Sequence, residues 1–324
     1  MCYIDGELVI GILARDCKRA LVGNMQHVES MGSLFKKYHV VVYENDSIDG
    51  TKDILRNWAA RNANVSIIME DTNTATILNK SNQVPYPDKS IYRIGKMVRF
   101  RNRLMNVIRE RFMPDYVCFI DIDVANFYPQ TVVEAIKNAP SDWGSLFANG
   151  AVHMKYSDHV QPHFMQYDSY AYVDEGVNPL KSKKWVVDKD FHFITSARMT
   201  WKMRNHQYLS CNSAFNGIGI YRWNLIKEQN YDVLQNQELE EINVSLCEHV
   251  GFNMELIQKG YKNYIVRDMK VVYNYEYPEE KKGLGRWKNY YRAFYFYQGR
   301  PRLAVRTIWH YLKERCGLFP YQRL

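Results

Sequence analysis

Tyr116-Val-Cys-Phe-Ile120, followed at once by Asp121-Ile122-Asp123, is the stretch whose reading decides the fold. A short apolar run bounded by polar residues reads as a buried strand. Alternation along an extended chain then points Asp121 and Asp123 the same way and sends Ile122 to the core. Two hard oxygen ligands on one side suit Mn²⁺ or Mg²⁺, with diphosphate oxygens and water completing the shell. An ion held there neutralises charge that develops on a departing diphosphate. Asp-x-Asp alone is a weak signal, and the competing reading is two solvated acids that open a turn. Its place at a strand end favours the ligand reading.

Outward from this strand, the first half of the chain alternates. Leu8-Val-Ile-Gly-Ile-Leu13 reads as a strand, Lys18 to Phe35 as a helix, and Tyr38-His-Val-Val-Val-Tyr43 as a β-branched and aromatic strand. Asn45-Asp-Ser-Ile-Asp-Gly50 is turn chemistry, and Thr51 or Asp49 caps a helix running to about Ala63. Val65-Ser-Ile-Ile-Met69 is a third strand, and a polar loop with Pro85 and Pro87 leads into a basic helix from Tyr92 to Arg111. Beyond the fourth strand, Pro129 opens a helix to about Asn138, and Trp143 to Ala148 is a fifth strand.

The pattern predicts an α/β fold with a mainly parallel, mixed, Rossmann-like sheet flanked by helices. Ligands in such sheets bind outside the C-terminal strand ends, so Glu44/Asp46 and Asp121/Asp123 should face one crevice. Residues 150–210 show no clear period. After them come a strand-like run from Ser213 to Tyr221, a helix near Trp223, a helix from Cys247 to Lys259, and short strands at Tyr264–Val266 and Lys270–Tyr273.

Four groups of residues carry candidate chemistry. Glu44 and Asp46 can hydrogen-bond a ribose or a base edge, or can simply build a capped turn. Arg93, Lys96, Arg99, Arg101, Asn102 and Arg103 crowd the basic helix. An arginine there can fork onto diphosphate oxygens or pair with the Asp121/Asp123 carboxylates, against the alternative of a solvated basic face. Ser210 to Ile220, with Asn212, Asn216 and Gly217, allows close approach of a ligand to backbone, or else a glycine bulge. Glu248 and His249 open a helix. Glu248 suits a general base and His249 a further metal ligand, unless they are only a first-turn charge and a satisfied partner.

Glu44-Asn-Asp-Ser-x-Asp-Gly-Thr51, Arg99-Phe-Arg-Asn-Arg103, Asp121 to Asp123 and Cys247-Glu-His249 together resemble the GT-A fold of nucleotide-sugar glycosyltransferases. The finer resemblance is to the cryptococcal capsule-associated mannosyltransferases and their bacterial and viral relatives, over about residues 8–275. The resemblance implies a nucleoside-diphosphate sugar donor, a glycan or lipid-linked glycan acceptor, and Mn²⁺ or Mg²⁺. It implies that Glu44 and Asp46 face the nucleoside and that Asp121 and Asp123 face metal and diphosphate. It favours Arg99 and Asn102 on the basic helix, and it places Asn212, Asn216 and Gly217 near donor sugar or acceptor. The fungal members are regarded as retaining, which needs no base of the Glu248 kind, so the stereochemistry stays open.

Charge divides the chain. Residues 281–324 hold eleven Lys/Arg and one acid, Glu314, while the remainder carries 32 basic and 34 acidic groups. The expected organisation is therefore a 1–280 transferase domain and a 281–324 basic, aromatic, helical tail. That tail suits an anionic membrane surface, plain packing, or single-stranded nucleic acid, in that order. A body near neutrality argues against a nucleic-acid enzyme. Six scattered cysteines without a CxxC pair read as free thiols in a reducing compartment. With no long apolar run and no leader-like start, the expectation is a cytoplasmic protein, peripheral to a membrane at most.

Two rivals remain. A nucleotidyltransferase acting on sugar phosphates would carry a glycine-rich loop after the first strand, which Gly11-Ile-Leu-Ala-Arg-Asp16 lacks. A non-catalytic glycan-binding protein would not need Asp121, Asp123 and Glu248.

Overall fold

The computed structural model describes residues 3–73, 86–156, 159–188 and 202–276, with His192, Thr195, Arg198 and Met199 from the stretch between. Pro85 and the tail at 281–324 lie outside the described residues, as does the expected domain boundary at 280. The chain divides into two compact units, residues 1–151 with 164–273, and residues 152–163 with 274–324. Every candidate site residue lies in the first unit. Among the described residues, no helix is long and apolar enough to cross a membrane.

Eleven strands are described: β1 (Ile4–Ala14), β2 (Phe35–Glu44), β3 (Val65–Met69), β4 (Tyr116–Asp121), β5 (Asn126–Phe127), β6 (Trp143–Tyr156), β7 (His159–Gln166), β8 (Val173–Asp174), β9 (Tyr208–Ser213), β10 (Ile218–Arg222) and β11 (Lys262–Glu276). The sheet runs β3-β2-β1-β4-β10-β6-β11-β9-β8. Its first four strands are parallel. Beyond β4, the pairs β4/β10, β10/β6, β11/β9 and β9/β8 are antiparallel.

The parallel strands are covered on both faces, which is why they read as near-continuous apolar runs. Leu8, Ile10 and Ile12 of β1, with Val40, Val42, Cys118 and Ile120, pack on α1 (Lys18–Gly32), α2 (Thr51–Arg61) and a helix at Pro129–Lys137. The alternate residues Val9, Val41, Tyr43, Val117 and Phe119 pack on α3 (Ile91–Arg111) and on the helix Glu248–Gln258. In chain order the last two helices named are α4 (Pro129–Lys137) and α5 (Glu248–Gln258). This two-faced cover makes the α/β class expected from the alternation.

Several boundaries differ from the sequence reading. Helix α1 stops at Gly32, where a Cβ would lie 2.3 Å from the Tyr38 ring, and Phe35 already belongs to β2. The run from Ser213 to Tyr221 is not one strand, because Asn216 (φ 56°) and Gly217 (φ 88°) are both left-handed and break the extended chain. Tyr264–Val266 and Lys270–Tyr273 are one strand, β11. Cys17, Cys118, Cys211 and Cys247 are free and buried.

Candidate active site

The two acidic turns leave the same edge of the sheet. Strand β1 lies between β2 and β4, with Leu13 opposite Asp121 and Ala14 opposite Glu44. At the usual strand spacing, Glu44 and Asp121 therefore stand about 10 Å apart across β1. Left-handed backbone gathers along this edge: Asp16 follows β1, Asp46 follows β2, Asn73 follows β3, and Asn216 precedes β10. Asp and Asn tolerate that conformation through their short polar side chains, yet each still costs energy, and such residues cluster where a site needs them.

Asp121, Ile122 and Asp123 alternate as expected: Ile122 is buried, Asp121 half-buried and Asp123 exposed. The turn is pinned from three sides. The Asp121 N–H donates to the Gly217 carbonyl at 2.9 Å. The Tyr167 hydroxyl donates to Asp121 Oδ2 at 3.1 Å. From α1, the buried Asn24 amide donates to the carbonyls of Ile122 and Val124 at 3.0 and 2.7 Å. Burial, then the charge of Asp123, pushes the Asp121 carboxyl up to about 7, although Arg101 and the Tyr167 hydroxyl pull the other way. Asp123 also borders a cleft of about 650 Å³ that Asp16, Lys18 and Asp49 help to line at the start of α1.

The turn after β2 is occupied with its own chain. Burial raises the Asp46 carboxyl, but the hydrogen bonds it accepts outweigh that and hold it below the usual carboxylate range. They come from the Thr72 hydroxyl and N–H, each at 2.6 Å, the Asn73 N–H at 2.8 Å and the Asn45 amide at 3.0 Å. Asp49 accepts from the Thr51 N–H and hydroxyl and from the Lys18 N–H, which ties the starts of α1 and α2 together. Glu44 is fully buried. Its Oε1 accepts from the Ser47 N–H at 2.9 Å, and its Oε2 has no partner.

Glu248 does not face solvent as a base. It is 4% exposed, and its Oε1 accepts from Arg101 Nε at 2.8 Å. Burial raises its carboxyl, but the Arg101 charge outweighs that and brings it to about 2. A carboxylate held ionised by a buried guanidinium is a weak proton acceptor at neutral pH. His249 is equally buried, stacked on Phe215 at 4.0 Å between ring centroids, and edge-on to Tyr231 at 5.6 Å. Burial first, then Arg101, pushes its imidazole well below its ordinary value, so the ring is neutral. Neither ring nitrogen has a hydrogen-bond partner. Among the described residues, no three His, Cys, Asp or Glu side chains are grouped to hold a metal.

The remaining expected residues divide. Asn216 and Gly217 adjoin the Asp121 turn; the Asn216 amide donates to the Ala148 carbonyl at 2.8 Å. The Asn212 amide is spent on Val177 and Gly176. Arg99 is exposed, whereas Asn102 pairs with both backbone groups of Tyr231. Arg101, between them, is the buried one. It lies on the apolar stripe with Leu104, Met105 and Ile108, and an arginine at i, i+3, i+4, i+7 spacing from apolar residues was the sequence signal. Asp168 was also missed. Burial, then the charges of Asp121 and Glu248, holds its carboxyl well above the usual range. It lies in the stretch without period, where no sequence signal marks it.

The family model described as cryptococcal mannosyltransferase 1 matches residues 9–253, more than half of the chain. No curated protein matches. Among solved structures, the chain is similar to the mannosyltransferase PcManGT from Pyrobaculum calidifontis, in complex with GDP-Man and Mn²⁺, at 11% identity and a TM-score of 0.46, covering 89% of this chain and 61% of that one. It is similar to residues 1–349 of TarS from S. aureus at 13% identity and a TM-score of 0.41, covering 83% and 60%. A third structure, GalNAc-T7 with UDP, GalNAc and Mn²⁺, gives 13% identity, a TM-score of 0.45, and coverage of 93% and 51%. The chain thus spans about six-tenths of the length of the first two.

Proposed function

The chain belongs to the family described as cryptococcal mannosyltransferase 1, and from that premise we propose that it is a glycosyltransferase that moves a sugar from a nucleoside-diphosphate sugar to a glycan hydroxyl. One observation carries the reading: two carboxyls leave β4 at the strand-end crevice, and one of them is pushed to about 7 by burial and by the other's charge. A divalent cation relieves such a pair, and oxygen-only donors suit Mn²⁺ or Mg²⁺. Asp121 and Asp123 would hold it, with donor diphosphate oxygens in place of a third protein ligand. Bound there, it supplies charge neutralisation for the leaving nucleoside diphosphate.

The protein's own groups do the rest. The Glu44 and Asp46 turn borders the nucleoside, with the unpaired Glu44 Oε2 as the acceptor left for a donor hydroxyl or amine. Asn24, Tyr167 and the Gly217 carbonyl fix the direction of the Asp121 carboxylate. His249 adds two unpartnered ring nitrogens at the start of α5. Membrane contact through 281–324 and a surface-glycan acceptor belong to the same reading.

The test is donor hydrolysis screened across nucleotide sugars with added Mn²⁺, in the wild type and in Asp123→Ala. The expected result is metal-dependent hydrolysis that falls by about 10³-fold in the variant, the several kcal/mol a metal clamp supplies. Full turnover by the variant, or by the wild type in chelator, would sink the proposed metal role.

A further inference from the structure

Arg101 and Glu248 are 6% and 4% exposed, and they join α3 to the first residue of α5 through a 2.8 Å hydrogen-bonded ion pair. Stability alone is a poor reason for such a pair, because desolvating two charges costs about as much as their attraction returns. Apolar residues of similar size commonly do as well or better. What the pair touches gives a better reason.

The Arg101 guanidinium lies 5.3 Å from the Phe215 ring centroid and 5.7 Å from that of Tyr231. Those are the two rings that hold His249. Phe215 is followed by Asn216 and Gly217, whose left-handed turn carries the carbonyl that receives the Asp121 N–H. Tyr231 is gripped a second time by α3, through Asn102. One buried cation therefore touches the elements that place His249 and stands one turn of chain from the element that places Asp121.

We propose that Arg101 is a positioning residue for sugar transfer. Paired with Glu248 and seated on Phe215 and Tyr231, it fixes the start of α5, hence His249, and the Phe215–Gly217 turn beside Asp121. It acts through these groups and does not touch the substrate. The inference rests on the transferase reading above, and the test separates the two.

Four proteins are compared: wild type, Arg101→Met, Glu248→Met and the double variant Arg101→Met/Glu248→Met. Each single variant leaves one buried charge unpaired and should melt well below the wild type. The double variant should regain a melting temperature within about 4 °C of the wild type. Its kcat for the donor should nevertheless stay about 100-fold down with donor KM changed less than about threefold, the signature of lost placement with retained binding. A merely structural pair would recover turnover together with melting temperature. A double variant with wild-type kcat overturns the proposal. Arg101→Lys covers the case in which the double variant fails to fold. It keeps the charge but loses the planar guanidinium, and kcat should fall about tenfold at unchanged KM; an unchanged kcat again overturns it. A wild type without any metal-dependent donor turnover refutes the transferase reading itself, whatever the variants do.

Discussion

After β2, the Asp46 carboxylate accepts hydrogen bonds from Thr72, Asn73 and Asn45 and is held below the usual range. After β4, the Asp121 carboxyl accepts a side-chain hydrogen bond from Tyr167, stands beside Asp123, and is pushed to about 7. The two turns share an edge of the sheet, and each carries more than one acid. In the first, Asp46 and Asp49 are satisfied by their own chain and hold the loop. The second is left with repulsion that folding does not relieve, which is the condition expected where a ligand completes the charge balance.

The largest effect that would sharpen this contrast comes from Asp121→Asn. Turnover should fall by about 10³-fold, as for its partner. Stability should move the other way. A carboxyl whose folded-state pKa is raised binds more protons folded than unfolded between the usual range and about 7, so stability declines as pH rises through that window. The amide does not titrate, so the variant should melt higher than the wild type at pH 8 and show a smaller decline across that window. Mn²⁺ should raise the wild-type melting temperature more at pH 8 than at pH 6, because cation and proton compete for the carboxylate. A variant that melts lower at pH 8 would break the contrast.

Asp46→Ala probes the satisfied turn, and its effect should appear in stability. Losing several hydrogen bonds to a carboxylate with an 8% exposed side chain should cost about 2–3 kcal/mol. Denaturant unfolding at pH 7 measures it. The Asp46 carboxyl is depressed, so its contribution is present above the usual carboxylate range and fades as pH falls below that range. The difference between variant and wild type should therefore narrow in acid, the opposite pH sense to Asp121. A loss that stays constant down to pH 3 would detach the stability from the carboxylate's charge.

The parallel half of the sheet was legible because its strands are covered on both faces, and Leu8 to Leu13, Val65 to Met69 and Tyr116 to Ile120 carry that cover in their composition. The antiparallel half was not. β9 and β10 are separated by two left-handed residues, and β11 pairs with strands far away in sequence. The place of Asp121 and Asp123 at a strand end followed from period and alternation. The family resemblance favours Arg99 and does not distinguish it from Arg101. Separating the apolar stripe from the polar face of α3 puts Arg101 inside and Arg99 outside. Asp168 and Tyr167 meet Asp121 only through the path of β7 and the turn after it, which no local pattern encodes.

The smallest expected effect belongs to Tyr167→Phe. The ring stacks on Tyr273 at 4.5 Å and 19°, and a phenylalanine keeps that stack. Burial, then the charges of Asp121 and Asp123, pushes the Tyr167 hydroxyl far up, so it stays protonated and remains a donor. Removing it takes from Asp121 one hydrogen bond that favours the carboxylate, a net loss of about 1 kcal/mol and a fall in turnover of about fivefold. The direction of the pH change is more telling than the size. Cation holding needs the ionised carboxyl, so activity should rise with pH along an acid limb governed by the Asp121/Asp123 pair. Without the Tyr167 hydroxyl the carboxylate is less favoured, and that limb should shift to higher pH. A slower enzyme with the limb in place would mean that Tyr167 supports packing alone, and that the repulsion between Asp121 and Asp123 is not tempered by the turn after β7.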